Sequence, residues 1–205
     1  KHRAGCKVAP HSLGQVGDLH KTFSVCDYDL EATLASGQAF RWQRLGQGWE
    51  GVIGGRWVRL RLTKGGIAAE AAKPVRDWAW LEHYLQLHFD LGQALATFPD
   101  DEPMQNAVAA FPGLRLLRQD YWECLASFIL SATKQIVQIR QMIMLLSKRY
   151  GEPIASGGDP AFAFPTIEVI AACGEKELRE CKLGFRAPNL LGAARDILDE
   201  KIDWQ

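Results

Sequence analysis

The chain has 205 residues and carries 24 basic and 24 acidic side chains, so its formal charge is zero. With 47% hydrophobic, 10% aromatic and 23% charged residues it can bury a sizeable core, which excludes a disordered or fibrous chain. No run approaches the ~18 uninterrupted apolar residues of a membrane-spanning helix, and neutrality argues against unselective nucleic-acid binding. The charge is unevenly spread: residues 1–70 and 111–150 each carry a net +4, residues 71–110 and 151–205 each a net −4. Two basic segments folded together would make one basic face; a well-mixed surface is the alternative.

The Lys1-His2-Arg3 start is basic but leads into no apolar segment, so no secretory signal is expected. Five cysteines (Cys6, Cys26, Cys124, Cys173 and Cys181) form no C-x-x-C pair, which predicts reduced, intracellular thiols. His83 and His88 are five apart and do not share a helical face. No metal site and no cofactor are expected.

The first half reads as β. Residues 39–45, 48–53, 55–62 and 66–72 are short segments divided by Gly46-Gln47-Gly48, Gly54-Gly55 and Gly65-Gly66, where hairpin turns need positive φ. Along residues 56–62, Val58, Leu60 and Leu62 share one face and Trp57, Arg59 and Arg61 the other, the period of a half-exposed antiparallel strand. From Pro74, a first-turn proline on this reading, the period becomes helical through Trp78, Leu81 and Leu85. A short helix after Pro103 would place Met104, Ala107, Val108 and Phe111 in register. Asp120 is the expected N-cap of an apolar helix through Leu130. Ile136, Ile139, Ile143 and Leu146 form the stripe of the next helix, ended by Gly151. Further helices are expected over 166–173, 175–181 and 189–200. Strands followed by helices predict an α+β fold, divided into a β-rich domain over 1–100 and a helical domain over 101–205.

Two segments carry the reading further. Leu34-Ala35-Ser36-Gly37-Gln38-Ala39-Phe40-Arg41-Trp42, followed by Trp49-Glu50-Gly51-Val52, resembles the opening of the 8-oxoguanine DNA glycosylase family. So does Phe111-Pro112-Gly113-Leu114-Arg115-Leu116-Leu117-Arg118-Gln119-Asp120, running on through Glu123-Cys124-Leu125 to Ser127-Phe128-Ile129. Lys182-Leu183-Gly184-Phe185-Arg186-Ala187 is a third, shorter match. The resemblance implies a TATA-binding-protein-like antiparallel sheet packed on part of a helix-hairpin-helix glycosylase. It implies base-excision repair by a monomer: oxidised guanine in double-stranded DNA is flipped out and its glycosidic bond cleaved, in the compartment that holds the genome.

On that resemblance Gly37 is the lesion reader. Guanine N7 is an acceptor, whereas the oxidised base carries N7–H, so a backbone carbonyl facing N7 would attract the lesion and repel guanine. Glycine lets the backbone approach a base closely; an ordinary Ser-Gly turn is the alternative. Phe185 would fill the gap left by the flipped base, where the family usually has tyrosine, and Arg186 would donate two bonds to the abandoned cytosine. Alternatively Phe185 is core and Arg186 its solvated neighbour. Thr133, Lys134 and Gln138 stand where better-known members carry asparagines and an arginine that touch that cytosine, and they remain the DNA-binding candidates. The family's Schiff-base lysine follows a glycine-rich hairpin that is not found in this sequence, so no catalytic residue is assigned in it. The contrasting reading is a non-catalytic damaged-DNA-binding or interaction module on the same scaffold. A third is a fragment with one helix face uncovered, through Leu191, Ala194, Ile197 and Leu198.

Overall fold

The computed structural model describes residues 17–202. Hairpin chemistry sets its sheet. β1 (Asp18–Phe23) precedes a short helix, α1 (Leu30–Ala35), and then come β2 (Gln43–Leu45), β3 (Gly48–Ile53), β4 (Arg56–Thr63) and β5 (Gly66–Val75). Two-residue turns join the last four strands. Gly54 and Gly55 both take positive φ (49° and 75°) between the paired Ile53 and Arg56, the geometry a tight antiparallel turn demands. The sheet order is β1-β5-β4-β3-β2 and every pairing is antiparallel.

One face of the sheet packs on α1 and on α2 (Ala79–Leu85), burying Trp42, Trp49, Val58, Leu60, Ile67, Leu81 and Leu85 in a first core. Trp42 anchors it: its indole donates to the Tyr84 hydroxyl at 2.9 Å, and Tyr28 donates to the Leu85 carbonyl at 2.9 Å. α3 (Leu91–Leu95) and α4 (Glu102–Ala110) follow, with Asp90 and Asp101 as N-caps accepting from Gln93 and Met104.

The helical half opens with α5 (Tyr121–Ser131), capped by Asp120 through the Glu123 amide at 2.9 Å. α6 (Ile136–Tyr150) comes next, then a two-strand ribbon, β6 (Pro153–Ile154) and β7 (Ala161–Phe162). α7 (Ile167–Ala172), α8 (Glu175–Leu178), an irregular turn over 179–186 and α9 (Ala187–Leu198) complete the described chain. Leu130, Ile143, Leu146, Ile170, Leu178, Leu190 and Ala194 form the second core. The segment 113–119 crosses back to the first, where Leu117 is buried.

Several expectations are corrected. Pro74 does not open a helix; it lies near the end of β5, and α2 starts at Ala79. Residues 39–42 are bent rather than extended, and β1 and α1 occupy stretches assigned no element by periodicity. The two faces of β4 do not divide as alternation suggests: Leu62 is exposed, whereas Trp57 is buried. The ribbon segment explains Trp57, because Gly157 packs on its ring so closely that a Cβ there would collide with it. α4 buries no residue, so its apolar register serves no core. The helix expected over 175–181 is regular over Glu175–Leu178 and continues as a wider turn from Arg179, until non-helical angles at Cys181 and positive φ at Lys182 and Gly184 turn the chain.

Tight packing at Gly51 offers a test. A Cβ built there lies 2.6 Å from the Trp42 indole, which is fully buried and cannot move aside. Gly51→Ala is expected to cost about 1–3 kcal/mol by overpacking, read as a fall in Tm. Gly158→Ala, which meets nothing within 4 Å, should leave Tm unchanged.

Candidate functional site

The site begins at the C-terminal end of α1. Ser36 closes the helix with its hydroxyl on the Thr33 carbonyl (3.0 Å), and the chain then turns through Gly37 at φ +83°. That angle favours glycine, and a Cβ would stand a tight 3.3 Å from Ile136 Cδ1, the tip of a flexible side chain. Gly37 therefore lies against the N-terminus of α6, the stretch that carries the candidates Thr133, Lys134 and Gln138. Among the described residues no hydrogen bond reaches the Gly37 carbonyl. The next peptide differs: the Gln38 carbonyl accepts from Gln119 Nε2 at 2.6 Å.

Gln38 is a residue whose role sequence reasoning missed. Its Nε2 lies 2.9 Å from the Arg115 carbonyl, 3.1 Å from the Thr33 carbonyl and 3.0 Å from Ser36 Oγ, while its Oε1 accepts from the Leu117 amide at 2.7 Å. A glutamine in a Ser-Gly-Gln turn carries no signal of this by itself, because the two partners that tie it to the other segment, Arg115 and Leu117, lie 77 and 79 positions away.

Three residues further on, Arg41 reaches into the helical half. It donates to Ser147 Oγ on α6 at 2.7 Å and to the Phe162 carbonyl on β7, while Phe40 packs against the second core. Burial lowers the Arg41 pKa, partly opposed by the charge of Glu123 on α5. Burial likewise pushes the Glu123 carboxyl up to about 7, with Arg41 opposing the rise and Asp120 adding to it.

At the far end of the α5–α6 connection, Thr133 takes φ +55°, rare for a β-branched residue. Arg186 holds that turn. Only 2% exposed, it donates through Nε to the Ala132 carbonyl at 2.9 Å, through a second nitrogen to the same oxygen, and to Thr133 Oγ1 at 2.9 Å. The picture of Arg186 as a solvated neighbour is thereby corrected, and in this conformation its fork is committed to protein oxygens. Phe185 is 57% exposed, with the Arg186 guanidinium 4.2 Å from its ring centroid, so it is not a core residue. Gln138 turns its Oε1 back to the Gln135 amide at 3.3 Å, which completes the start of α6. Lys134 is half-buried on the same connection. Gly37 is thus linked through Ile136 to the connection that Arg186 grips, and Phe185 stands exposed beside it.

The uncovered helix face is not on α9, where Leu191, Ala194 and Ile197 are buried and only Leu198 is exposed. It lies on α5, where Tyr121, Cys124 and Phe128 share an outward stripe.

A family model for the 8-oxoguanine DNA glycosylase N-terminal domain matches residues 22–125. The chain is similar to an N-glycosylase/DNA lyase OGG1 of Arabidopsis thaliana, 28% identical over 175 residues, which cover 82% of this chain and 48% of that protein. It is 32% identical over 129 residues to an N-glycosylase/DNA lyase of Saccharomyces cerevisiae, covering 60% of this chain and 34% of the yeast one. Its fold resembles that of the Clostridium acetobutylicum 8-oxoguanine glycosylase/lyase in complex with double-stranded DNA containing cytosine opposite 8-oxoG. That match has a TM-score of 0.82 at 26% identity and covers 91% of this chain and 67% of the other. The chain thus spans half or less of the length of the two curated relatives.

Glu123 sets a pH dependence. Between its ordinary value of 4.5 and about 7 it is protonated in the folded chain and ionised in the unfolded one, so stability falls as pH rises through that window and levels off above it. Thermal melts from pH 5 to 8 should show this fall, and Glu123→Gln should flatten it. An equal fall in both proteins would place its origin elsewhere.

Proposed function

The chain belongs to the 8-oxoguanine DNA glycosylase family, and from that premise we propose that it carries the lesion-reading and DNA-holding part of a base-excision glycosylase/AP lyase. Its substrate is duplex DNA containing oxidised guanine, bound by a monomer where the genome lies. The observation that carries the reading is the Gly37 peptide: left-handed, without a Cβ, half-buried, and with a carbonyl that no described residue engages. An acceptor of that kind pairs with the N7–H of the oxidised base and opposes the N7 lone pair of guanine. Pairing is worth ~1 kcal/mol, and an unpaired buried group loses ~1–3 kcal/mol.

The division of work follows the domains, a β-rich part over 1–100 that supplies Gly37 and a helical part over 101–205 that supplies the DNA grip. Phe185, exposed at the rim, is the wedge that enters the stack when a base leaves it. Thr133, Lys134 and Gln138 lie on the connection and first turn beside it, where hydroxyl, ammonium and carboxamide can meet phosphate or base edges. Arg186 shapes that connection through Ala132 and Thr133. Donation from its fork to a cytosine requires the base to take the place of the Ala132 carbonyl. Sugar-attacking chemistry belongs to the whole protein and is assigned to no residue of this chain.

Fluorescence anisotropy of the 205-residue chain with labelled duplexes tests the reading. An 8-oxoG·C duplex should bind more tightly than the matching G·C duplex, and both should weaken between 50 and 200 mM salt. Equal affinity for the two duplexes would refute it. Phe185→Ala should weaken binding of the lesion duplex about tenfold, corresponding to the loss of one stacked base. Its Tm should be unchanged, because the ring is exposed; a marked drop in Tm would make the ring structural instead.

A further inference from the structure

Resting on the proposed reading of Gly37, we infer that Gln38 is a positioning residue for lesion discrimination: its clamp on the 113–119 segment fixes the peptide plane whose carbonyl tests N7. The argument starts from the shared peptide. The Gly37 carbonyl and the Gln38 amide belong to one rigid plane, so whatever holds Gln38 aims that oxygen. Glycine alone would let the plane swing, because φ > 0 and φ < 0 are both open to it.

Gln38 removes that freedom on both sides. Its carboxamide fills a slot of three acceptors and one donor: Nε2 faces the carbonyls of Thr33 and Arg115 and the Ser36 hydroxyl, so one of its two N–H groups is shared, and Oε1 takes the Leu117 amide. Its own carbonyl is fixed by Gln119. The anchor is itself rigid. The Arg115 amide donates to Thr33 Oγ1 at 3.1 Å, and its guanidinium, buried with its residue, lies 5.3 Å from the Tyr28 ring centroid. Every hydrogen-bonding group of Gln38 that could compete for the Gly37 carbonyl is therefore engaged elsewhere, and that oxygen stays free and aimed. A carbonyl free to rotate by a few tens of degrees would accept weakly from N7–H and escape the repulsion from a guanine lone pair, since hydrogen bonds fail as the angle falls towards ~120°.

The test compares wild type, Gln38→Leu and Gln119→Leu, each as the 205-residue chain, by anisotropy with 8-oxoG·C and G·C duplexes and by thermal melting. The informative quantity is the ratio of the two affinities, which a merely structural role would not move once the protein is folded. Gln38→Leu should lower the ratio about fivefold or more, the equivalent of one ordinary hydrogen bond, with G·C affinity kept within about twofold. Gln119→Leu removes only the bond to the Gln38 carbonyl and should lower the ratio by a smaller factor; should Gln38→Leu fail to fold, this variant alone decides. A ratio unchanged in the folded variants, with wild type selective, overturns the role of Gln38 and leaves the reading of Gly37 standing. A wild type without selectivity overturns both.

Discussion

The structure turns on one short connection anchored from two sides. Residues 36–41 leave α1, pass Gly37 and end in two side chains that point in different directions. Gln38 is bolted into the 113–119 segment of the first core, and Arg41 is driven between α6 and β7 of the second. A loop would ordinarily be the mobile part of such a fold. Here its ends are tied to both hydrophobic clusters, so a left-handed peptide can be presented at their junction without being free to wander.

Arg41 makes this anchoring electrostatically demanding. Taking a guanidinium out of water is tolerable only where its N–H groups find acceptors. Ser147 Oγ and the Phe162 carbonyl supply neutral ones, and Glu123 supplies a nearby carboxyl. That carboxyl is also buried, which raises its own pKa to about 7 despite the arginine. Desolvation thus outweighs attraction for Glu123, and near neutrality its carboxyl changes between neutral and charged beside the Arg41 cation.

How much of this was legible in the sequence depends on the range of the interaction. Local chemistry is written plainly. The Gly54-Gly55 turn, the Asp120 cap, the stripe from Ile136 to Leu146 and the stop at Gly151 all depend on residues within a turn or two of each other. Errors occur where a distant segment decides. Trp57 alternates onto the face that should be wet, and is dry because Gly157 lies across it. The α9 stripe looks like a face in search of a partner, and finds one within the chain among the residues of α7 and the 179–186 turn, whereas α5, read only as an apolar helix, keeps Tyr121 and Phe128 outside. At the candidate site, a family resemblance picked out Gly37, Phe185 and Arg186. It gave no hint of Gln38, because four hydrogen bonds to residues 33–36 and 115–117 leave no periodicity behind.

Arg186 illustrates why a residue's type does not fix its state. Sequence reasoning offered two options for it, solvated or poised to grip a base, and both assume a free guanidinium. The structure has it buried under the exposed Phe185 ring, with its donors on Ala132, Thr133 and Leu183. That arrangement compensates for Thr133, whose positive φ carries a penalty of roughly 1–2 kcal/mol for a residue with a branched Cβ. Ring and connection are therefore coupled: the guanidinium beside Phe185 is the one that keeps Thr133 in its left-handed turn. Gly37 lies against Ile136 at the end of that same connection, so the Gly37 peptide and the Phe185–Arg186 pair meet two ends of one short segment. On the proposed function, a base is inspected by a peptide that Gln38 holds, beside a connection that Arg186 keeps in place.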